Sequence, residues 1–89
     1  MNETFFIYIL QSKKDGSYYV GQTNNLTVRI NQHNAGLSKY TSSKRPLDLV
    51  YYEIFETRSE AIKREIEIKK KKSRVYIENL ILNFKNTFN

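Results

Sequence analysis

The sequence predicts an α+β fold with its elements in the order ββαβαα. Three observations carry that expectation: two strand-like runs around a turn dipeptide, a later switch to apolar spacings of three and four, and a length of 89 residues that suits one compact domain. A chain this short buries only roughly two-thirds of the surface it would expose unfolded, so any active site is expected to be a shallow surface groove. The chain has no cysteine, which excludes a disulfide framework, a thiolate-bound zinc and a thiol nucleophile and favours a reducing cytosol. The opening MNETFFIYILQSKKDG carries an acid where a secretory peptide needs positive charge, and its apolar run stops far short of a bilayer's thickness. It reads as a mature, soluble, cytoplasmic chain.

Thr4 to Leu10 (TFFIYIL) and Ser17 to Gly21 (SYYVG) are rich in aromatic and β-branched residues and flank Asp15-Gly16, a hairpin-favouring pair. From Asn25 to Asn34 the spacing of Leu26 and Ile30 turns helical, with Asn24 or Asn25 available to cap the start and Gly36 the end. The β-branched Thr27, Val28 and Ile30 mean that packing rather than propensity has to hold that helix. Gly36 to Pro46 (GLSKYTSSKRP) is polar, cationic and turn-rich, an exposed loop before a third strand from Leu47 to Phe55. Thr57 and Glu60 have capping-box spacing ahead of a second helix, whose Ala61, Ile62, Ile66 and Ile68 are expected to form its apolar side. Ser73 can cap a third, on which Ile77, Leu80, Ile81, Phe84 and Phe88 share one face. No internal repeat or low-complexity segment divides the chain, and residues 1–89 are expected to form one domain.

Fifteen lysines and arginines against nine acids leave a formal charge of +6. Most of the surplus lies between Lys63 and Arg74, where seven bases (Lys63, Arg64, Lys69, Lys70, Lys71, Lys72 and Arg74) meet only Glu65 and Glu67. Such a patch suits an anionic partner, most often nucleic acid, or else is a solvated helix face.

Arg29 and His33, one turn apart, project from the same helical face and can act on one ligand: a guanidinium holds a phosphate oxygen, and the chain's only histidine can exchange a proton near neutral pH. The alternative is an exposed polar pair. Tyr8 and Tyr19, on successive strands, approach each other across the hairpin if the register is right, and each phenol both donates and accepts. Glu65 falls in line with Ala61, Ile62 and Ile68; a carboxylate beside an apolar stripe calls for either a salt bridge to a nearby base or a divalent cation. Glu67 is the better candidate for solubility alone. Gly21 at a strand end lets backbone or substrate come close, or is an ordinary turn glycine.

The ordered set of Phe6-Ile7-Tyr8, then Tyr19-Val20-Gly21 about ten residues on, then Asn25-Leu26, Arg29 and His33, then AIKREIEIKK around Glu65 resembles the GIY-YIG nuclease family from about Phe5 to Arg74, and its small stand-alone members most of all. The resemblance implies a small three-stranded antiparallel β-sheet flanked by helices, and hydrolysis of a nucleic-acid phosphodiester, most readily in DNA during repair, with one divalent metal, usually Mg2+. Carried over residue by residue, Tyr8 and Tyr19 are the motif tyrosines, Arg29 and His33 the helix pair and Glu65 the metal ligand. Lys39, Lys44 and Arg45 of the loop, with Lys69, Lys70, Lys71, Lys72 and Arg74, would grip flanking phosphates with little base selectivity.

There are departures: Phe6 stands where the family name has glycine and Val20 where it has isoleucine, while Asn79 or Asn83 would have to serve for an asparagine that many relatives carry after the glutamate. No second DNA-binding domain fits the length, so the substrate choice stays open; the expected partner is nucleic acid, with no membrane association and a monomer favoured. Two other classes stay open: a non-catalytic basic nucleic-acid-binding module, and an interaction subunit presenting its apolar third helix to a partner nuclease.

Overall fold

The computed structural model describes residues 3–88, with side chains through Lys85. Three strands, β1 (Phe5–Ser12), β2 (Tyr18–Thr23) and β3 (Leu47–Phe55), form one antiparallel sheet in the order β2-β1-β3. The helices are α1 (Leu26–Asn34), α2 (Arg58–Lys71) and α3 (Arg74–Phe88), with a short 3-10 turn at Ser42–Lys44 in the loop before β3. The expected order ββαβαα is the observed one. Among the described residues no helix is long and apolar enough to cross a membrane.

Local chemistry accounts for the boundaries. Gly16 takes a positive φ of 77° in the hairpin loop, and Ser12 Oγ accepts from the Lys14 and Asp15 amides. Asn25 caps α1 by accepting from the Val28 amide, and Gly36, at φ 82°, ends it by donating to the His33 carbonyl. Thr57 and Glu60 form the reciprocal capping box of α2, and Ser73 Oγ accepts from the Tyr76 amide at the start of α3.

The central strand is covered on both faces, which is why TFFIYIL is apolar throughout rather than alternating. Phe5, Ile7 and Ile9 pack with Val20, Tyr51, Ala61, Ile68 and Ile81 on the side of α2 and α3. Tyr8 and Leu10 pack with Leu47, Tyr19, Leu26 and Ile30 on the side of α1. A bulge opposite Ile9/Leu10 inserts Val50 as an extra residue in β3, so that Leu47 and Leu49 face α1 while Tyr51 turns to the other core.

The apolar side of α2 is narrower than expected. Ala61 and Ile68 are buried, whereas Ile62 and Ile66 are exposed. At about 100° per residue, Ile62 and Ile66 stand roughly 100° and 140° from Ala61, while Glu65 stands only about 40° away, at the edge of the contact line. Phe88, assigned to the apolar face of α3, has its side chain outside the described residues.

Candidate active site

The four residues Tyr8, Tyr19, Arg29 and His33 come together on the α1 side of the sheet. Tyr8 lies opposite Gly21 in the hairpin register, and Tyr19 lies opposite Leu10, so the two phenols are diagonal neighbours with ring centroids 6.3 Å apart. Gly21 is required by this packing: a Cβ there would stand 2.4 Å from the Tyr8 hydroxyl oxygen. The close approach foreseen for this glycine is made by the chain's own tyrosine.

His33, fully buried in the last turn of α1, brings Nε2 to 3.0 Å from the Tyr8 hydroxyl and Nδ1 to 2.6 Å from Thr41 Oγ1. Arg29, one turn earlier, donates from Nε to the Tyr8 hydroxyl at 3.4 Å and from Nη1 to Gln32 Oε1 at 3.2 Å. Because a guanidinium only donates, the arrangement that satisfies every partner has Tyr8 accepting from Arg29 and donating to His33 Nε2. Nδ1 of His33 then carries the proton and donates to Thr41. The Tyr19 ring stands edge-on to His33 with centroids 5.1 Å apart.

Burial governs the protonation states. It raises the Tyr8 hydroxyl above its ordinary value, against the opposing pull of the Arg29 guanidinium. It lowers His33 to about 4, with the Arg29 charge adding to the effect, so the imidazole is neutral at pH 7 and free to accept. The hydrogen bond to Tyr8 holds Arg29 even more firmly protonated than usual.

Glu65 reaches the rim of this cluster from α2. Its side chain is 19% exposed and accepts from Lys69 Nζ at 2.6 Å, and that ammonium lies 6.0 Å from the Tyr19 ring centroid. The Glu65 charge is felt at Tyr8, whose hydroxyl it helps to raise. Of the two roles open to this carboxylate, the salt bridge is present. Among the described residues no three His, Cys, Asp or Glu side chains gather as a metal cluster. One carboxylate is too few donors for a protein-built zinc or calcium cage, but it fits magnesium, which keeps several waters and binds through one or two carboxylates together with substrate phosphate.

The expected phosphate-gripping residues are dispersed. Lys39, Lys70 and Lys72 are exposed, the last in the left-handed conformation that terminates α2. Lys44 pairs with Asp15, and Arg45 donates to the Ser42 carbonyl at 2.8 Å while lying against Gly36. Lys69 is held by Glu65, Lys71 lies over the Tyr76 ring, and Arg74 pairs with Glu78 at 3.1 Å while covering the Tyr18 ring. Arg64, counted in the basic stretch, turns inward to Glu53. The patch is thus less free than its formal charge. Phe6 packs edge-on against Tyr52 and Val20 is buried in the opposite core, so neither departure from the motif touches the cluster. Asn79 and Asn83 lie exposed on α3.

Thr41 is the member of the cluster that sequence reasoning missed. It sits in a polar loop with no periodicity, yet it is buried against His33. Gln32 and Lys69 were within reach of spacing rules, lying three residues from Arg29 and four from Glu65.

The three-stranded antiparallel sheet and the helices around it form the fold that the GIY-YIG resemblance implies. The GIY-YIG catalytic domain matches residues 4–79, and the chain belongs to that nuclease family. Curated relatives are UPF0213 proteins: those of Staphylococcus aureus strains Mu50 and COL are each 47% identical over 68 residues, covering 75% of this chain and 82% of theirs. The solution NMR structure of a UPF0213 protein from Bacillus halodurans is similar with a TM-score of 0.55 and 38% identity, over 88% of this chain and 82% of that one.

Proposed function

We propose that this chain, acting as a single domain over residues 1–89, is a metal-dependent endonuclease that hydrolyses phosphodiester bonds in DNA, with repair of structured or damaged DNA as its setting and the cytoplasm as its location. The observation that carries this reading is the Tyr8 hydroxyl, which is shared between a charged donor, Arg29, and a neutral acceptor, His33 Nε2.

In this mechanism Arg29 receives a nonbridging phosphate oxygen and neutralises the charge that grows there. Tyr8 takes a proton from the attacking water while passing its own to His33 Nε2. The water oxygen bonds to phosphorus, the ester bond to the leaving oxygen breaks, and solvent protonates that oxygen. A buried phenol is a poor base alone, so the acceptor behind it is essential. His33 is held down first by burial and second by the Arg29 charge, and phosphate on Arg29 weakens that second effect, raising the basicity of the ring when the proton arrives. Thr41 keeps the tautomer in which Nε2 is the acceptor. Tyr19 hydrogen-bonds the water or phosphate from the adjacent strand. Glu65 would hold Mg2+, which when bound supplies Lewis-acid stabilisation of charge at the phosphate and leaving oxygen.

Purified protein with Mg2+ is expected to cleave at least one member of a panel of single-stranded, duplex, branched and lesion-containing DNA and RNA. Glu65→Gln is expected to lose at least about 100-fold in rate at unchanged melting temperature. Persistent activity in that variant would remove the metal role from Glu65. The salt bridge to Lys69 favours a second reading, a binding module without cleavage. Affinity that falls steeply with salt, ignores Glu65→Gln and accompanies no cleavage on any substrate would select it.

A further inference from the structure

Next to the Tyr8 and His33 contact lies a depression of about 230 Å3, lined chiefly by Tyr18, Tyr19, Tyr40, Thr41, Lys44 and Leu47. It shares two walls with the candidate site, since Tyr19 packs on the His33 ring and Thr41 holds its Nδ1. Neighbouring residues of the loop point in opposite senses there: Thr41 is buried, while Tyr40 is 79% exposed. Tyr40 therefore gains little from packing within the fold. A large aromatic ring left in water, in a depression that shares Tyr19 and Thr41 with the cluster containing Arg29, is suited to a ligand that offers both a flat face and a negative charge.

We infer that this depression receives one unpaired nucleobase from the DNA strand whose phosphate lies at Arg29, an inference that rests on the nuclease reading and narrows its substrate to DNA with a single-stranded segment at the point of cleavage. The volume is below the roughly 300–1,000 Å3 of pockets that enclose drug-sized ligands, and suits a single ring system rather than a base pair. The exposed Tyr40 ring supplies an aromatic face for stacking, beside Leu47 and the stem of Lys44, whose ammonium is anchored by Asp15. Lys39 and Arg45, exposed on the same loop, add cationic charge for the flanking backbone. Within a duplex each base has both faces covered by its stacked neighbours, so only an unpaired base can present one to Tyr40.

The test is equilibrium binding by fluorescence anisotropy in EDTA, where metal-dependent cleavage is silent. The probes are a labelled DNA single strand, its blunt duplex, and the same strand carrying abasic sites. Tyr40→Ala is expected to weaken binding of the single strand by about 5-fold to 100-fold, the range found when a base loses its aromatic platform. It should change duplex binding less than about twofold, and Tyr40→Phe should stay near wild type because it keeps the ring. The abasic strand should bind wild type as weakly as the intact strand binds Tyr40→Ala. Equal losses on strand and duplex, no loss on either, or a Phe variant as damaged as Ala would overturn the inference. Cleavage measured alongside separates the two claims. A chain that cuts DNA but shows none of these differences refutes the base pocket and spares the nuclease; one that shows them all and cuts nothing does the reverse.

Discussion

On the α2 side of the sheet, Arg64 donates from Nε to both Glu53 oxygens at 3.0 and 3.2 Å, from Nη2 to Glu53 again at 3.0 Å, and from Nη1 to the Tyr76 hydroxyl and to Glu67. On the α1 side, Arg29 donates to the Tyr8 hydroxyl and Gln32 Oε1 and also interacts with the Tyr19 hydroxyl, and among the described residues no carboxylate pairs with it. Both clusters combine arginine with tyrosine. What separates them is Glu53, which fixes the Arg64 charge; Tyr51 also donates to that carboxylate and, buried beside it, is pushed up to about 12. The first cluster is ion-paired within the chain, while the second holds a half-buried positive charge that no described carboxylate pairs. The difference teaches that the partner, not burial or tyrosine neighbours, separates an arginine whose charge is paired within the chain from one whose charge is not.

Exchanging the fates of the two arginines tests this most severely. Arg29→Ala is expected to lower the cleavage rate by about 100-fold to 1,000-fold while leaving the melting temperature level, because it removes a transition-state contact and no ion pair. A variant that melts early yet still cuts would contradict the assignment. Arg64→Ala should behave inversely in urea unfolding, losing about 2 kcal/mol, less than the roughly 3–5 of a fully buried broken pair because 19% of the Arg64 side chain is exposed. Its cleavage rate per folded molecule should match wild type.

The next test reaches the relay itself. Thr41→Val keeps the shape of the side chain but leaves the His33 Nδ1 proton without an acceptor, at a cost of about 1–2 kcal/mol in stability, and should depress cleavage at every pH. In wild type, the single histidine resonance should titrate with a midpoint near 4, and a midpoint near the ordinary imidazole value of 6.5 would show that burial does not control it. Above pH 6.5 both folded and unfolded chains hold this ring neutral and its contribution to stability is complete. As pH falls from 6.5 toward about 4, the unfolded chain takes up a proton that the folded chain refuses, and stability is lost across that window. The smallest effect belongs to the rim: Lys69→Met should alter stability by less than about 1 kcal/mol, since half of the Lys69 side chain is exposed and the pair is screened.

Much of the site was legible because its chemistry lies on local periodicities. Arg29 and His33 share a helix face whatever surrounds them, Tyr8 and Tyr19 share a sheet face once the hairpin closes, and Glu65 falls at the edge of an apolar line that runs from Ala61 to Ile68. Ile62 and Ile66 misled because hydrophobicity says only that a side chain gains from burial, and α2 touches the sheet along too thin a line to bury them. The basic cluster misled in the same way, since formal charge does not reveal that Arg64 turns inward or that Lys69 is held by Glu65.

The sequence alone determined the order of elements and their caps, since each follows from contacts within a few residues along the chain, while the set of groups around Tyr8 was named through the family resemblance. Only the tertiary structure decided that Gly21 must yield its side-chain space to the Tyr8 ring, that Thr41 closes on His33 from a loop without pattern, and that Arg64 finds a carboxylate where Arg29 does not. Those outcomes depend on distances between strands and loops remote in the chain, set by how two cores pack on opposite faces of one sheet, and short-range spacing carries no record of them.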